Sequence, residues 1–127
     1  MGKIVLDSNV VIYLSKGLLT IEDLLSFVEC DSLEIWISLV TYMEVLSYEF
    51  QSFEEENFVK NLLHEFFILD IDKDVADKTI EIRKKYKIKL PDAIICASAV
   101  TIDAHLITAD TQLKKVKEAN VKIITPF

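Results

Sequence analysis

Hydrophobic and polar positions along the chain follow two patterns: short apolar runs, and longer segments with helical periodicity. The short runs predict five β-strands, at Lys3–Leu6, Glu34–Ser38, Phe67–Ile71, His105–Thr108 and Val121–Ile124. The longer segments predict helices between the strands, at Asn9–Lys16, Ile21–Glu29, Leu39–Phe50, Ser52–Glu65, Asp74–Tyr86, Asp92–Ala104 and Thr111–Glu118.

Three local signals mark where helices begin or end. The sequences TIED at Thr20 and SFEE at Ser52 resemble capping boxes, in which a hydroxyl and a carboxylate satisfy the first N–H groups of a helix. Gly17 follows the first helical segment and is typical of a residue that ends a helix.

The order of these elements predicts the fold class. Strands separated by helices of this length need crossover connections, which favours an α/β fold with a five-stranded, mainly parallel sheet and helices on both faces. The chain holds two glycines and two prolines, and it shows no linker, low-complexity tract or internal repeat. We therefore expect one continuous domain over residues 1–127.

Length and composition indicate how the fold is stabilised and in which compartment the protein lies. A chain of 127 residues can bury roughly two-thirds of its unfolded surface without a disulfide or structural zinc. Cys30 and Cys96 form no CxxC pair, so they are interpreted as buried or bystander thiols in a reducing compartment. No segment reaches the roughly 20 apolar residues that span a bilayer, so we expect a cytoplasmic protein with no membrane contact. The hydrophobic fraction of 51% suggests apolar surface covered by a partner or a second copy.

Charge limits the function classes. The formal net charge is −7, which argues against a protein that holds nucleic acid by bulk electrostatics, since such proteins usually carry a basic face. It does not exclude an enzyme whose bound divalent ions supply positive charge where the reaction occurs.

Four acidic residues lie where such a fold places its ligands. Asp7 directly follows the first strand, Asp110 lies two residues beyond the fourth, Asp92 begins a helix after Leu90-Pro91, and Glu44 lies in the helix after the second strand. Ligands of parallel sheets bind beyond the carboxyl ends of the strands, so we expect these carboxylates to meet at one rim. Hard oxygen ligands predict a Mg²⁺ or Mn²⁺ site suited to cleavage of an anionic phosphodiester.

Each acid also has a structural interpretation. Asp7 and Asp110 are plausible helix N-caps, and Asp92 occupies a first-turn position that interacts well with a helix dipole. Glu44 lies in the apolar sequence LVTYMEVLSYEF and could belong to a solvated polar stripe. No single acid decides between these interpretations.

Together the motifs resemble the PIN-domain family, and in particular the VapC-like toxins of type II toxin-antitoxin pairs. The resemblance covers nearly the whole chain and rests on IVLDSNVVIYL, SLVTYMEVL, KLPDAIICASA, LITADTQLKKV and the closing VKIITPF, in this order. Relatives often carry an aromatic residue where this chain has Leu113, a difference that concerns packing.

The resemblance implies a fold, an activity and partners. It implies a PIN-like fold and a metal-dependent endoribonuclease that hydrolyses RNA, assembled as a homodimer and neutralised by a cognate antitoxin. It implies that Mg²⁺ or Mn²⁺ is bound by four acids, and that two polar residues orient the carboxylates or water. The acids are Asp7, Glu44, Asp92 and Asp110, and the polar residues are Asn9 and Thr108.

Three other features allow two interpretations each. The basic segment Arg83–Lys89, like the lysines near residue 115, could guide an RNA backbone or form a solvated helix end. An aromatic group could be core between two helices or a groove for an antitoxin helix; it comprises Tyr42, Tyr48, Phe50, Phe53 and Phe58. His64 and His105 lie far from the acidic motifs and are interpreted as structural.

Other functions remain as alternatives. A catalytically silent PIN-like domain would act by protein contact alone. A haloacid-dehalogenase-like phosphatase needs a second acid where the chain has Asn9. A response-regulator receiver could use Asp70, but Asp7 has no acidic neighbour and the other acids would have no role.

Overall fold

The computed structural model describes residues 2–28 and 32–125. The described residues contain five strands, which form one sheet in the order β3-β2-β1-β4-β5, with every neighbouring pair parallel. The strands are β1 (Gly2–Leu6), β2 (Leu33–Ser38), β3 (Phe67–Leu69), β4 (His105–Thr108) and β5 (Asn120–Ile123). The predicted α/β class and five-stranded parallel sheet are confirmed.

Helices connect the strands as crossovers. They are α1 (Ser8–Ser15), α2 (Ile21–Val28), α3 (Leu39–Leu46), α4 (Phe53–His64), α5 (Lys73–Lys85) and α6 (Leu90–Thr101). A short 3₁₀ helix, Thr111–Lys115, lies between β4 and β5.

Alternating strand residues build a core on each face of the sheet. Val5 and Leu106 are fully buried and belong to a cluster with residues of α5 and α6. Their neighbours Leu6 and Ile107 point the other way, into a second cluster with residues of α1, α2 and α4. Each such side chain contributes about 1.5–3 kcal/mol by burial. Helices therefore cover both faces, as the sequence pattern predicted.

The strand order places a crevice between β1 and β4. The chain passes outward from β1 to β2 and β3, then returns to the other side of β1 for β4 and β5. This reversal is a topological switch point, where ligands of open α/β sheets bind beyond the strand ends. The receiver alternative is wrong, because receivers have the strand order 2-1-3-4-5.

The predicted helix signals are present. The N–H of Asp23 donates a hydrogen bond to the Thr20 hydroxyl at 3.2 Å, and the N–H of Thr20 donates one to the Asp23 carboxylate at 2.9 Å. This reciprocal pair is a capping box. Ser52 caps α4 by accepting from the N–H of Glu55. Gly17 adopts a φ of 73° just after α1, a left-handed conformation that glycine adopts without steric cost.

The largest boundary differences concern three helices. α3 ends at Leu46, not Phe50, with Ser47 as its C-cap; the N–H of Ser47 is shared between the carbonyls of Met43 and Glu44, as in a last turn that tightens toward 3₁₀ geometry. α6 begins at Leu90, since Pro91 fits a first helical turn, and it ends at Thr101, not Ala104. The last helix is a 3₁₀ turn that stops at Lys115, not Glu118, because the backbone is extended at Val116.

Smaller differences occur at other element ends. β3 stops at Leu69, not Ile71, because its ladder with β2 pairs only three residues. The remaining strands and helices match within one residue at each end, which is the usual uncertainty of such boundaries. Glu29, the expected last residue of α2, lies outside the described residues.

The aromatic group divides in two. Tyr42 and Phe50 pack partly buried against the core on the α1 face. Tyr48, Phe53 and Phe58 are 57%, 77% and 57% exposed, so the core interpretation is wrong for these three side chains. Their helical spacing does not reveal whether another element covers them.

No helix within residues 2–28 and 32–125 has the length and apolar character needed to cross a membrane.

Candidate active site

Asp7 lies at the carboxyl end of β1 and at the N-cap of α1. Its carboxylate is 5% exposed and fully engaged. Oδ1 accepts a hydrogen bond from the N–H of Ser8 at 2.7 Å, while Oδ2 accepts from the Thr108 hydroxyl at 2.7 Å and from the Asn9 amide at 3.5 Å. The start of α1 and the end of β4 therefore hold this carboxylate in one orientation.

The end of β4 is fastened to the same point. The buried Thr108 hydroxyl accepts a hydrogen bond from the N–H of Asp110 at 3.0 Å. The side-chain oxygen Oδ1 of Asn9 accepts a hydrogen bond from the N–H of Ala109 at 3.2 Å. Asn9 and Thr108 thus lie where the resemblance placed them, each in contact with Asp7 and with the backbone that leads to Asp110.

Glu44 reaches the site from α3 and is exposed. Its Oε1 accepts a hydrogen bond of 2.7 Å from the hydroxyl of Ser8, whose own N–H binds Asp7. Ser8 therefore connects two of the four acids, a role that the sequence analysis missed. The available signal was its position as the first helical residue directly after Asp7.

Asp92 and Asp110 complete the group from the start of α6 and from the segment after β4. Asp92 is half-buried in the first turn of α6, after Pro91. Asp110 caps the 3₁₀ helix, and its Oδ1 accepts from the N–H of Gln112 at 3.0 Å. The capping interpretations of Asp7 and Asp110 are thus correct, and they hold together with a shared location at the switch point.

The four carboxylates act on one another electrostatically. Burial raises the pKa of Asp92 above its ordinary value, and the charges of Asp7, Asp110 and Glu44 raise it further, opposed by Lys89. Burial also raises the pKa of Asp7, against hydrogen bonds from Thr108 and Ser8 that lower it, with added repulsion from Glu44 and Asp110. In both groups burial is the largest cause of the raised pKa, and repulsion from the other acids adds to it.

The acids form a loose group. Within residues 2–28 and 32–125, no three carboxylate, imidazole or thiol groups are close enough to coordinate one ion together in this arrangement. Each carboxylate oxygen that accepts one hydrogen bond keeps a second lone pair. The group can therefore attract a cation, but it is not a closed cage of protein ligands.

Two open clefts adjoin the acids. A cleft of about 490 Å³ is lined by Asp92 and Asp110 together with basic residues from the end of α5 and from the α5–α6 connection. A second cleft of about 490 Å³ lies beside Ser8 and Glu44, where Met43 and Tyr48 form its apolar wall. A chain that passes over the acids would meet charge on one side and apolar surface on the other.

The histidines and the described cysteine lie outside this arrangement of acids. His64 is exposed at the end of α4, and His105 is the first residue of β4, at the opposite end of the sheet from the acids. Cys96 is buried in α6, and burial, with the charges of Asp7, Asp92 and Asp110, raises the pKa of its thiol to about 12. Cys30 lies outside the described residues.

Sequence comparison supports the resemblance to a known family. The profile of the PIN domain family matches residues 4–119, a span that contains all four acids. The chain belongs to the PIN domain family. A search of curated protein sequences gave no significant match.

Solved PIN-type structures show the same fold. A chain of a toxin-antitoxin complex from Klebsiella pneumoniae is 29% identical, with a TM-score of 0.74 and 98% of each chain covered. A chain of VapBC2 from Rickettsia felis, bound to a DNA fragment from its promoter, has a TM-score of 0.81 at 17% identity, covering 95% of this chain and 98% of that one. A chain of DNA-bound VapBC from Salmonella typhimurium has a TM-score of 0.78 at 20% identity, covering 97% of this chain and 98% of that one.

Proposed function

We propose that this protein is a metal-dependent endoribonuclease that hydrolyses RNA phosphodiester bonds at the four-acid site. The observation that carries the proposal is the electrostatic grouping of Asp92 with Asp7, Glu44 and Asp110 at the switch point of a PIN fold. Four neighbouring carboxylates repel one another when they are ionised, and a bound divalent cation stabilises their ionised forms. Cleavage of a phosphodiester uses such a cation.

The donor set fits Mg²⁺ or Mn²⁺. All four side chains offer hard oxygen ligands, which these ions prefer over nitrogen or sulfur. Mg²⁺ usually keeps several waters and binds through one or two carboxylates, so a loose group of acids suits it better than a closed cage. When bound, the ion would supply an activated water and stabilise charge on the leaving oxygen.

The remaining residues would set the geometry of the acids. Thr108 and Asn9 hold Asp7, while the Ser8 hydroxyl holds Glu44 toward the same point. Each of these groups orients a carboxylate without itself contacting the substrate. Because the donors are fixed by α1 and by β4, they would limit the orientations of Asp7 and Glu44 when an ion binds.

We further propose that the protein is the toxin of a toxin-antitoxin pair, neutralised by a cognate antitoxin, and that it forms a homodimer. The 29% identical neighbour is a chain of a toxin-antitoxin complex, which supports an antitoxin partner. Exposed aromatic side chains on α4 and after α3 support a surface that a partner protein covers. Tyr48 and Phe50 also line a pocket of about 180 Å³ between α1, α3 and α4.

A cleavage assay tests the activity. We expect the purified chain to cut single-stranded RNA with Mg²⁺ or Mn²⁺ and to stop in EDTA, and we expect Asp7→Asn to lose at least about a hundredfold in rate. Asp70→Asn, at the exposed end of the edge strand β3, is the matched control and should cleave normally. A catalytically silent protein-binding domain would show no cleavage under any metal condition.

A further inference from the structure

The end of α5 and the α5–α6 connection place positive charge beside the acidic site of an otherwise acidic protein. Residues 83–89 contain five of the 14 basic residues of the chain and no acidic residue, although the net charge is −7. Arg83, Lys87 and Lys89 line the 490 Å³ cleft together with Asp92 and Asp110. The local charge on this side is therefore opposite to that of the whole chain.

The three cations of the cleft are available to an anion. None of them forms an ion pair with another described residue, whereas Lys85 of the same segment pairs with Glu118 at 3.4 Å. Lys89 is close enough to Asp92 to act on its carboxylate, so the basic wall and the acids face one space. An unpaired cation in a cleft is suited to a phosphate rather than to a structural salt bridge.

The segment is also held in place. The Tyr86 hydroxyl donates a hydrogen bond of 2.6 Å to Glu118 and accepts one of 3.2 Å from the N–H of Lys117. The Lys115 ammonium group donates to the carbonyl of Lys87 at 3.2 Å. The connection is thus fixed to the region after β4, which also carries Asp110, and little ordering is needed when an anion binds.

We propose that Arg83, Lys87 and Lys89 form a phosphate-binding subsite for single-stranded RNA. This subsite binds the phosphates adjacent to the scissile phosphate, which lies at the four acids. This proposal rests on the nuclease function proposed above. The cleft contains one amide side chain, Gln112, but its cations contact a backbone that is the same in every sequence. The subsite therefore contributes affinity and position, and sequence selection comes from elsewhere.

The test measures binding without cleavage. In the Asp7→Asn background and in EDTA, fluorescence anisotropy follows two labelled single-stranded RNA 12-mers of unrelated sequence at several salt concentrations. We expect Arg83→Gln, Lys87→Gln and Lys89→Gln each to weaken binding about fivefold. Each should also reduce the steepness of the log–log salt dependence by about 0.7, the value for one phosphate contact on a single strand, and equally for both RNAs.

The control removes the same charge elsewhere. Lys16→Gln lies at the end of α1 on the other face of the sheet and should change neither affinity nor salt slope. Unchanged slopes in all three cleft variants, loss on one RNA only, or no binding by the parent protein would overturn the subsite. Cleavage of the RNA in these samples would instead show that the proposed metal-dependent function has failed.

Discussion

The hydroxyl of Thr108 donates a hydrogen bond of 2.7 Å to Oδ2 of Asp7, a residue 101 positions earlier in the chain. The same hydroxyl accepts from the N–H of Asp110. This one buried hydroxyl joins the ends of β1 and β4 across the switch point. It binds the carboxylate of Asp7 and the backbone N–H of Asp110, and both residues are proposed metal ligands. The orientation of the acids therefore depends on an uncharged side chain.

Two substitutions of Thr108 distinguish the contribution of its hydroxyl from that of its side-chain volume. Thr108→Val keeps the shape but leaves Asp7 and the Asp110 N–H without their partner, which should cost about 1–3 kcal/mol in unfolding free energy. Thr108→Ser keeps the hydroxyl and loses a methyl group, at a cost of about 1 kcal/mol. We expect Mn²⁺ affinity to fall about ten- to hundredfold in the valine variant alone. Equal affinities in the two variants would show that the hydroxyl does not position Asp7.

Ser8 should matter for the site more than for stability. Its hydroxyl bond ends on the exposed Glu44, so Ser8→Ala should change the unfolding free energy by less than about 0.5 kcal/mol. Without that bond Glu44 is free to turn away, and we expect about tenfold weaker Mn²⁺ binding. Ser15→Ala in the same helix removes a hydroxyl that binds only the Ile12 carbonyl, and its Mn²⁺ affinity should equal that of the wild type.

Asp92 should make the metal-free protein less stable as pH rises. Its folded pKa is raised above the ordinary value of 3.8, so the folded state binds the proton more tightly. The contribution of this protonated group to the unfolding free energy is fully present at a pH below its pKa in the unfolded state. It is lost as the pH rises through its pKa in the folded state. In EDTA we therefore expect Asp92→Asn to gain about 0.5–1 kcal/mol over wild type at pH 7.5, a value reduced for solvent screening, and to gain nothing near pH 3.

Fluorescence of Trp36, the one tryptophan of the chain, can follow these denaturant titrations. Excess Mg²⁺ should reverse the order at pH 7.5, because an ion that binds only the folded state stabilises the wild type. A wild-type protein that is more stable than Asp92→Asn in EDTA at pH 7.5 would contradict repulsion among the acids.

Cys96 should be chemically inert in the folded protein. Burial beside the acids raises the pKa of its thiol to about 12, so almost no reactive thiolate exists at pH 8. In a Cys30→Ser variant, which leaves Cys96 as the remaining thiol, we expect negligible reaction with a disulfide reagent until denaturant is added. Rapid labelling of the native variant would show that the site opens around α6.

Much of the fold was predictable because each local signal agreed with the tertiary structure. The run His105–Thr108 ends in two β-branched residues and is followed by the capping acid Asp110, and β4 has these bounds. The end of α3 was not predictable in this way, since the apolar pattern continues to Phe50 while the helix ends at Leu46.

The positions of Asp7, Asp92 and Asp110 at a strand end and at helix starts were predictable from local patterns, whereas Glu44 lies inside α3. The contribution of Ser8 was not predictable, because it requires α1 and α3 to lie side by side, and no local pattern encodes that contact. The exposure of Phe53 and Phe58 was hidden for the same reason, since helical spacing does not tell which face another element covers. What the sequence lacked in each case was the arrangement of distant elements.

Titration with Mn²⁺, followed by the electron paramagnetic resonance signal of the free ion, tests the account most directly. We predict that the wild type takes up Mn²⁺ and that Asp7→Asn and Asp92→Asn each weaken this binding at least about tenfold, while Asp70→Asn binds like the wild type. Mn²⁺ uptake that is absent in the wild type, or that is the same in all four proteins, would contradict a shared ion site of these carboxylates.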